Sequence, residues 1–229
     1  MGWDISYHPV GENDFRDIYC AGLADPEFYK TIATQFGLDD IYTEQLKLSF
    51  DEARALGLDV EFNKVHSYSM AIVSGYLRKY HYIRGGSFSF ALEHEVMFDY
   101  IADWDDYLPP EWDGVETIDS LTENYCGGVY LPHEALKRLR ADYETQAEVK
   151  AVLDEIFSDG RLAIFWKAVD EAIANGMGLL EATEVVEPNP LNINQTTCMT
   201  NLHNCYPDGV ILYVQAAMAQ IEAIKAAQS

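Results

Sequence analysis

From Gly85 to Leu136 the chain runs for 52 residues without a lysine or arginine and carries twelve carboxylates. They are Glu93, Glu95, Asp99, Asp103, Asp105, Asp106, Glu111, Asp113, Glu116, Asp119, Glu123 and Glu134. Few local structures suit such a run. A helix there sets like charges four residues apart, each pair costing roughly 0.2–0.5 kcal/mol. The same window holds Trp104, Tyr107, Trp112, Tyr125 and Tyr130. Such rings bury large apolar areas. The fold must cover them while leaving the acids in water or offering them to a partner.

Periodicity predicts a helix over 91–104. Val96, Met97, Tyr100, Ile101 and Trp104 fall on one side, with Glu95, Asp99 and Asp103 on the other. Pro109-Pro110 closes it, because proline lacks the N–H and clashes with the preceding turn. Elsewhere, "WDISYH" alternates like a strand. Helices are expected over "NDFRDIYCAGL", over 25–37 with Asp25 as N-cap and Gly37 as stop, over 39–56 and over 65–80. Further helical patterns cover 131–157, the stripe Leu162, Phe165, Trp166, Val169 and Ile173, and the C-terminal Ile211, Val214, Met218, Ile221 and Ile224. Gly85-Gly86 and Gly127-Gly128 look like turns, and 184–209 looks like a long polar loop. The expected fold is mainly α, strictly α+β with a few short strands, as a single compact helical domain over residues 1–229.

Net charge is −23, with Lys+Arg 15 against Asp+Glu 38. Nucleic acid binding needs a cationic surface that releases counterions, so no nucleic-acid partner is expected. Anionic membranes are disfavoured likewise, and no unbroken run of 18 apolar residues is present. No basic n-region precedes an apolar stretch at the N-terminus. The four cysteines are sparse enough to suggest reduced thiols. A cytoplasmic location follows as the expectation. A basic protein is the natural partner, steered in by opposite charge.

Three uses of the acidic window compete: a partner-binding face, an ordinary solvated face, and a metal or acid–base site. Glu93, His94 and Glu95 point to different sides of a helix, so with Asp99 they do not converge on a cation. Cys198, His203 and Cys205 lack the paired spacing and fourth ligand of a structural zinc site. Cys126 with His133 has no nucleophile signature around it, and phosphate and dinucleotide loops are absent. No metal, cofactor or catalytic residue is therefore expected. The candidate partner-binding residues are Glu95, Asp99, Asp103, Trp104, Asp105, Asp106, Tyr107, Glu111, Trp112 and Asp113, with the aromatics as anchors inside a charged rim.

Three stretches, "MGWDISYHPV", "YLRKYHYIRGGSFSF" and "LLEATEVVEPNPLNINQTTCMTNLHNC", together resemble a family of small acidic bacterial proteins. Some of its members look like immunity proteins of polymorphic or type VI secreted toxins. The resemblance covers most of the chain. It carries over no catalytic residue, because none of the stretches is a chemical signature. It implies a cytoplasmic protein that binds one cognate toxin and occludes its active site. The alternative is a hydrolase, metal-dependent in one form, acting on a small or toxin-modified substrate.

Overall fold

The computed structural model describes residues 3–112 and 114–228. In chain order it has β1 (Asp4–Val10), a π-helical turn (Phe15–Cys20) running into α1 (Ala21–Ala24), α2 (Phe28–Phe36) and α3 (Asp40–Leu56). A second π-helical turn (Asn63–Ser67) leads into α4 (Tyr68–Leu77), followed by β2 (Tyr80–Arg84). After a long irregular stretch come β3 (Gly127–Leu131), α5 (His133–Thr145), α6 (Ala147–Ile156), α7 (Arg161–Ala174) and β4 (Gly178–Thr183). The chain closes with β5 (Val186–Glu187), β6 (Thr197–Cys198), β7 (Cys205–Tyr206) and α8 (Pro207–Ala227).

β1 organises the sheet. Its alternation sends Ile5 and Tyr7 into one core, while Ser6 and His8 face the other way. It pairs antiparallel with β2 and with β4, and all seven residues are buried. β3 adds antiparallel to β4 and β7 adds parallel to β2, giving the order β3-β4-β1-β2-β7. Pro9 lies beyond the last β1–β2 pair, Tyr7 with His81, so its missing N–H falls where that ladder has ended.

Helices cover both faces. One core joins Ile5, Tyr7, Leu131 and Leu179 to Leu136 and Leu139 of α5, Leu153 of α6 and Phe165 of α7. The other joins Tyr130, Leu180 and Ala182 to Phe15, Ile32 of α2, Phe50 of α3 and Val73 of α4. The fold is thus α+β, with a five-stranded mixed sheet between two helical layers. The helical content was expected. The short strands were expected as well, but not that five of them join in one sheet between the helical layers.

Local signals held where a cap was written into the sequence. Asp39 caps α3 by accepting from the Tyr42 N–H at 2.8 Å, and Gly37 ends α2 in the left-handed region at φ 67°. α2 begins at Phe28, two residues later than Asp25 suggested, after a tighter turn in which the Phe28 N–H donates to the Asp25 carbonyl at 3.1 Å; the Asp25 carboxylate still accepts from the Glu27 N–H at 2.9 Å, as a cap does. The helix expected over 65–80 stops at Leu77, and Tyr80 already belongs to β2. Gly127-Gly128 is strand rather than turn. A Cβ on Gly127 would lie 2.0 Å from the Ser67 hydroxyl, and one on Gly128 would lie 2.5 Å from a Glu181 carboxylate oxygen. These glycines are there for close approach.

The helix expected over 91–104 does not form. Short 3-10 segments, Phe88–Glu93, Glu95–Tyr100, Trp104–Asp106 and Pro110–Trp112, replace it, with extended breaks at His94 and Ile101. Met97 and Tyr100 enter one core and Ala102 and Trp104 the other. The Ala102 N–H donates to the Tyr130 carbonyl at 2.9 Å, at the crossing. A straight helix cannot deliver one stripe to opposite sides of a sheet, and like charges at every fourth residue give it no local support.

α8 is attached by its first turns. Gly209 passes so close to β2 that a Cβ would sit 1.6 Å from the Tyr82 carbonyl oxygen. Val210, Leu212 and Tyr213 pack on the body, while Ile211, Met218 and Ile224 are exposed. By length and mean hydropathy, 1.3 over its best window, α8 is long and apolar enough to cross a membrane. The sequence expectation rested on unbroken apolar runs, and Gln215, Gln220 and Glu222 interrupt this one.

Candidate functional site

The acidic segment wraps the edge of the second core. Glu95, Asp99, Asp103, Asp105, Asp106 and Glu111 are all exposed. Among the described residues none of these six forms an ion pair, although nearly every lysine and arginine is engaged elsewhere. Arg138 approaches Asp99 only at its backbone carbonyl. Asp103 caps the turn that follows, accepting from the Asp105 N–H at 2.9 Å, and Asp105 accepts from the Thr117 hydroxyl at 3.2 Å. Asp119 takes the Trp104 N–H at 3.0 Å. Burial raises the Asp119 pKa, and the charges of Asp103 and Asp105 raise it further, so these three acids crowd one another.

The aromatic part of the prediction is corrected. Trp104 is 1% exposed and Trp112 is 5% exposed. Trp104 stacks on Tyr130 at 5.5 Å and tilts against Phe62 at 4.9 Å, and Trp112 meets the His66 ring edge-on at 4.6 Å. Both are core residues, because the crossing at Ala102 turns them inward, so neither is a projecting anchor. Tyr107 is half-buried, edge-on to Tyr130 at 5.2 Å. Asp113 lies outside the described residues.

In place of projecting rings, the segment offers depressions. A groove of about 580 Å³ is lined by Asp105, Leu108, Pro109, Pro110 and Trp112 among others. Across the Pro109-Pro110 ridge, a second of about 310 Å³ is lined by Glu12, Asp106 and Tyr107. A third, about 270 Å³ and mostly apolar, lies between Cys20, Leu23, Leu58, Trp112 and Glu111. Carboxylates at the mouths of shallow grooves suit cationic and amphipathic side chains entering from outside.

The remaining sequence candidates do not assemble. Glu93, His94, Glu95 and Asp99 are exposed along the irregular segment. Cys126 donates to the Glu123 carbonyl at 2.9 Å, while His133 approaches the Met177 carbonyl at 3.3 Å. The five residues of β3 hold them apart, roughly 3.3 Å per residue. Cys198 lies 3.5 Å from the Tyr80 hydroxyl, and burial raises both Cys198 and Cys205 thiols, the latter to about 12. His203 is exposed.

Two polar clusters were missed. Glu181 is fully buried on β4 opposite Tyr7. One oxygen accepts from the Tyr7 hydroxyl at 3.0 Å and the Phe88 N–H at 2.6 Å; the other accepts from the Ser89 N–H at 3.2 Å and the Ser89 hydroxyl. Desolvation raises its pKa, and these donors oppose the rise. The signal was available: a lone carboxylate in the apolar run "GLLEAT". On the far edge, His81 meets Glu171 at 2.9 Å, Tyr206 donates to the same carboxylate at 3.1 Å, and the Tyr206 ring stacks on the imidazole at 4.5 Å. Burial lowers the His81 pKa. The imidazole is 3% exposed and capped by Tyr206, while Glu171 is part exposed.

Compared with protein-family models, curated proteins and solved structures, the chain matches none.

Proposed function

We propose that this is a binding protein whose acidic segment captures a basic protein, in the manner of a cytoplasmic immunity protein that neutralises a cognate secreted toxin by covering its active site. The observation that carries this is the set of six exposed carboxylates without a cation, three of which, Asp105, Asp106 and Glu111, line three adjoining grooves. Intramolecular salt bridges on a surface are worth little, so leaving these acids unpaired costs the fold almost nothing and keeps their charge available. Long-range attraction steers a basic partner inward, and the grooves then take its cationic and apolar side chains. The buried tryptophans act as the rigid floor of that surface. The hydrolase alternative has less to stand on, since in the His81–Glu171 pair the imidazole is buried beneath Tyr206 and only the carboxylate is part exposed.

The test is capture from the native cell with the full chain and with a variant carrying Asp103→Asn, Asp105→Asn, Asp106→Asn and Glu111→Gln. Asparagine at 103 keeps the cap while removing charge. Wild type should retain a basic protein whose association slows as salt rises, and the variant should bind it at least about tenfold more slowly at low salt. Unchanged association by the variant would show that another face binds. A captured protein that is acidic would remove the electrostatic argument.

A further inference from the structure

A second group of carboxylates lies away from the acidic segment, where the start of β1 meets the turn after β4. Asp4 and Glu184 are 7% and 6% exposed, and Glu187 of β5 is half-buried beside them. One oxygen from each lies within 4.8 Å of the other two. The backbone fixes the arrangement. The Glu184 N–H donates to the Asp4 carbonyl at 2.7 Å, and the Asp4 N–H donates back to the Glu184 carboxylate at 3.4 Å. Glu184 holds φ 56°, in the left-handed region that a non-glycine residue seldom occupies.

Buried acids this close repel one another unless something positive joins them. Arg84 pairs with Asp4, and the Tyr82 hydroxyl donates to the other Asp4 oxygen. Tyr125 donates to Glu187 at 3.2 Å. Three carboxylates at −3 and Arg84 at +1 leave a formal charge of −2. An independent feature lies beside the same place. The Tyr68 side chain is 8% exposed, and its buried hydroxyl has no hydrogen-bond partner. Tyr68 lies against Tyr125, with ring centroids 6.4 Å apart, and the charges of Glu187 and Glu184 bear on it. A buried hydroxyl left unsatisfied costs the full desolvation of the group. Within the field of Glu184 and Glu187, it is a neutral oxygen left to join a cation's shell or to bond a coordinated water.

We propose that Asp4, Glu184 and Glu187, with the Tyr68 hydroxyl, form a binding site for one hard divalent cation, Ca2+ in preference to Mg2+. All donors are oxygen, which suits hard cations rather than zinc or copper. No two of these oxygens lie farther apart than two calcium–oxygen bonds of about 2.4 Å can span, so one ion can reach all three. Mg2+ needs near-ideal octahedral geometry at about 2.0–2.1 Å and keeps several waters, which a mostly buried, irregular site does not give it. A −2 site closed by a divalent ion is neutral. The ion would tie the start of β1 to the β4–β5 turn and so lock the sheet's central pair. No spacing in the sequence announces this site, since position 4 and positions 184–187 meet only through the β1–β4 ladder.

The experiment uses the full chain stripped with EDTA, titrated calorimetrically with CaCl2 and with MgCl2 in physiological salt. In parallel, Tb3+ is the luminescent probe, excited through the tyrosines at the site. Wild type should bind one Ca2+ per chain, more tightly than Mg2+, and melt at a higher temperature with Ca2+ than in EDTA. Glu187→Gln should weaken that binding at least tenfold. Tyr68→Phe should weaken it and lower the sensitised luminescence while leaving the melting temperature in EDTA unchanged, because the hydroxyl it removes has no protein partner. The fourfold neutralised variant of the acidic segment should bind Ca2+ as wild type does, which separates this site from the proposed interface. No stoichiometric uptake at about 1 mM Ca2+, the weak end of protein sites, would overturn the proposal. So would uptake unchanged in Glu187→Gln, or tighter binding of Mg2+. Stabilisation by Glu184→Gln without calcium binding would mean that a shared proton joins the acids, and it too would overturn the proposal.

Discussion

Replacing Glu181 by glutamine tests how the centre of the sheet is held. The carboxylate takes one backbone N–H on each oxygen, Phe88 on one and Ser89 on the other. Glutamine has a single acceptor oxygen. In either orientation its NH2 faces a backbone N–H. Turned toward Ser89, it orphans the Ser89 N–H at a cost of about 1–3 kcal/mol. Turned toward Phe88, it leaves that N–H the Tyr7 hydroxyl at 2.9 Å, and Tyr7 donates to the Gly86 carbonyl at 3.1 Å, so this orientation is cheaper and loses one hydrogen bond, about 0.5–1.5 kcal/mol. The surviving bonds lose their charge assistance, about 1 kcal/mol more. Relief of carboxylate desolvation offsets part of this. A net loss of about 1–2 kcal/mol is expected, which lowers Tm by roughly 2–8 °C in a chain of this length. Urea unfolding followed by near-UV circular dichroism measures it, with an unchanged m-value as the check that the folded state is intact. The pH profile adds a sign. A carboxyl whose pKa is raised on folding keeps its proton longer than the unfolded chain does, so its contribution to stability declines as pH rises through 4.5 toward the folded value. The glutamine variant should lack that decline. A variant within about 0.5 kcal/mol of wild type, or more stable than it, would refute the idea that these four donors are organised by the carboxylate.

Burial holds the His8 imidazole, stacked on Tyr80 at 4.7 Å, down to about 3. Its folded pKa lies below the unfolded value of about 6.5, so its contribution to stability is complete above pH 6.5. That contribution falls by up to about 1.4 kcal/mol per pH unit between about 6.5 and about 3, and His8→Phe should flatten this part of a chemical-denaturation profile. Gly209→Ala should detach the start of α8 and cost about 3 kcal/mol or more, measurable by calorimetry and by faster proteolysis of the C-terminal helix, since its Cβ would overlap the Tyr82 carbonyl. Trp104→Ala should cost about 3–5 kcal/mol of stability, whereas a projecting anchor would cost binding alone; thermal melting in the absence of partner separates the two.

Much of the helical layer was legible because its signals are local. Asp39, Gly37, Gly57 and Gly176 mark helix ends by their own backbone chemistry, and the stripe through Leu162, Phe165 and Val169 marks a buried face at the helical period. The acidic character of 93–119 was legible too, since charge does not depend on the fold. Its shape was not. The periodicity of Val96, Met97, Tyr100, Ile101 and Trp104 fits a helix, yet the chain crosses the sheet edge between Tyr100 and Trp104. β3 and β4 also escaped, because a strand buried on both faces has no polar alternation, and glycines chosen for close approach look like turns.

By itself, then, the sequence determined several helix ends, that the molecule is strongly acidic, and that one long segment has no internal cation to neutralise it. Those properties belong to neighbouring residues or to a sum. Tertiary structure alone decided that Trp104 and Trp112 form a floor beneath the acids, that Glu181 reaches Phe88 and Ser89, and that Asp4 meets Glu184 and Glu187. Each of these joins parts of the chain that only the antiparallel pairing of β1 with β2 and β4, and the helices packed against them, bring within a few ångströms. The physical reason is that a carboxylate's chemistry is set by what surrounds it, and in this chain those surroundings come from distant sequence.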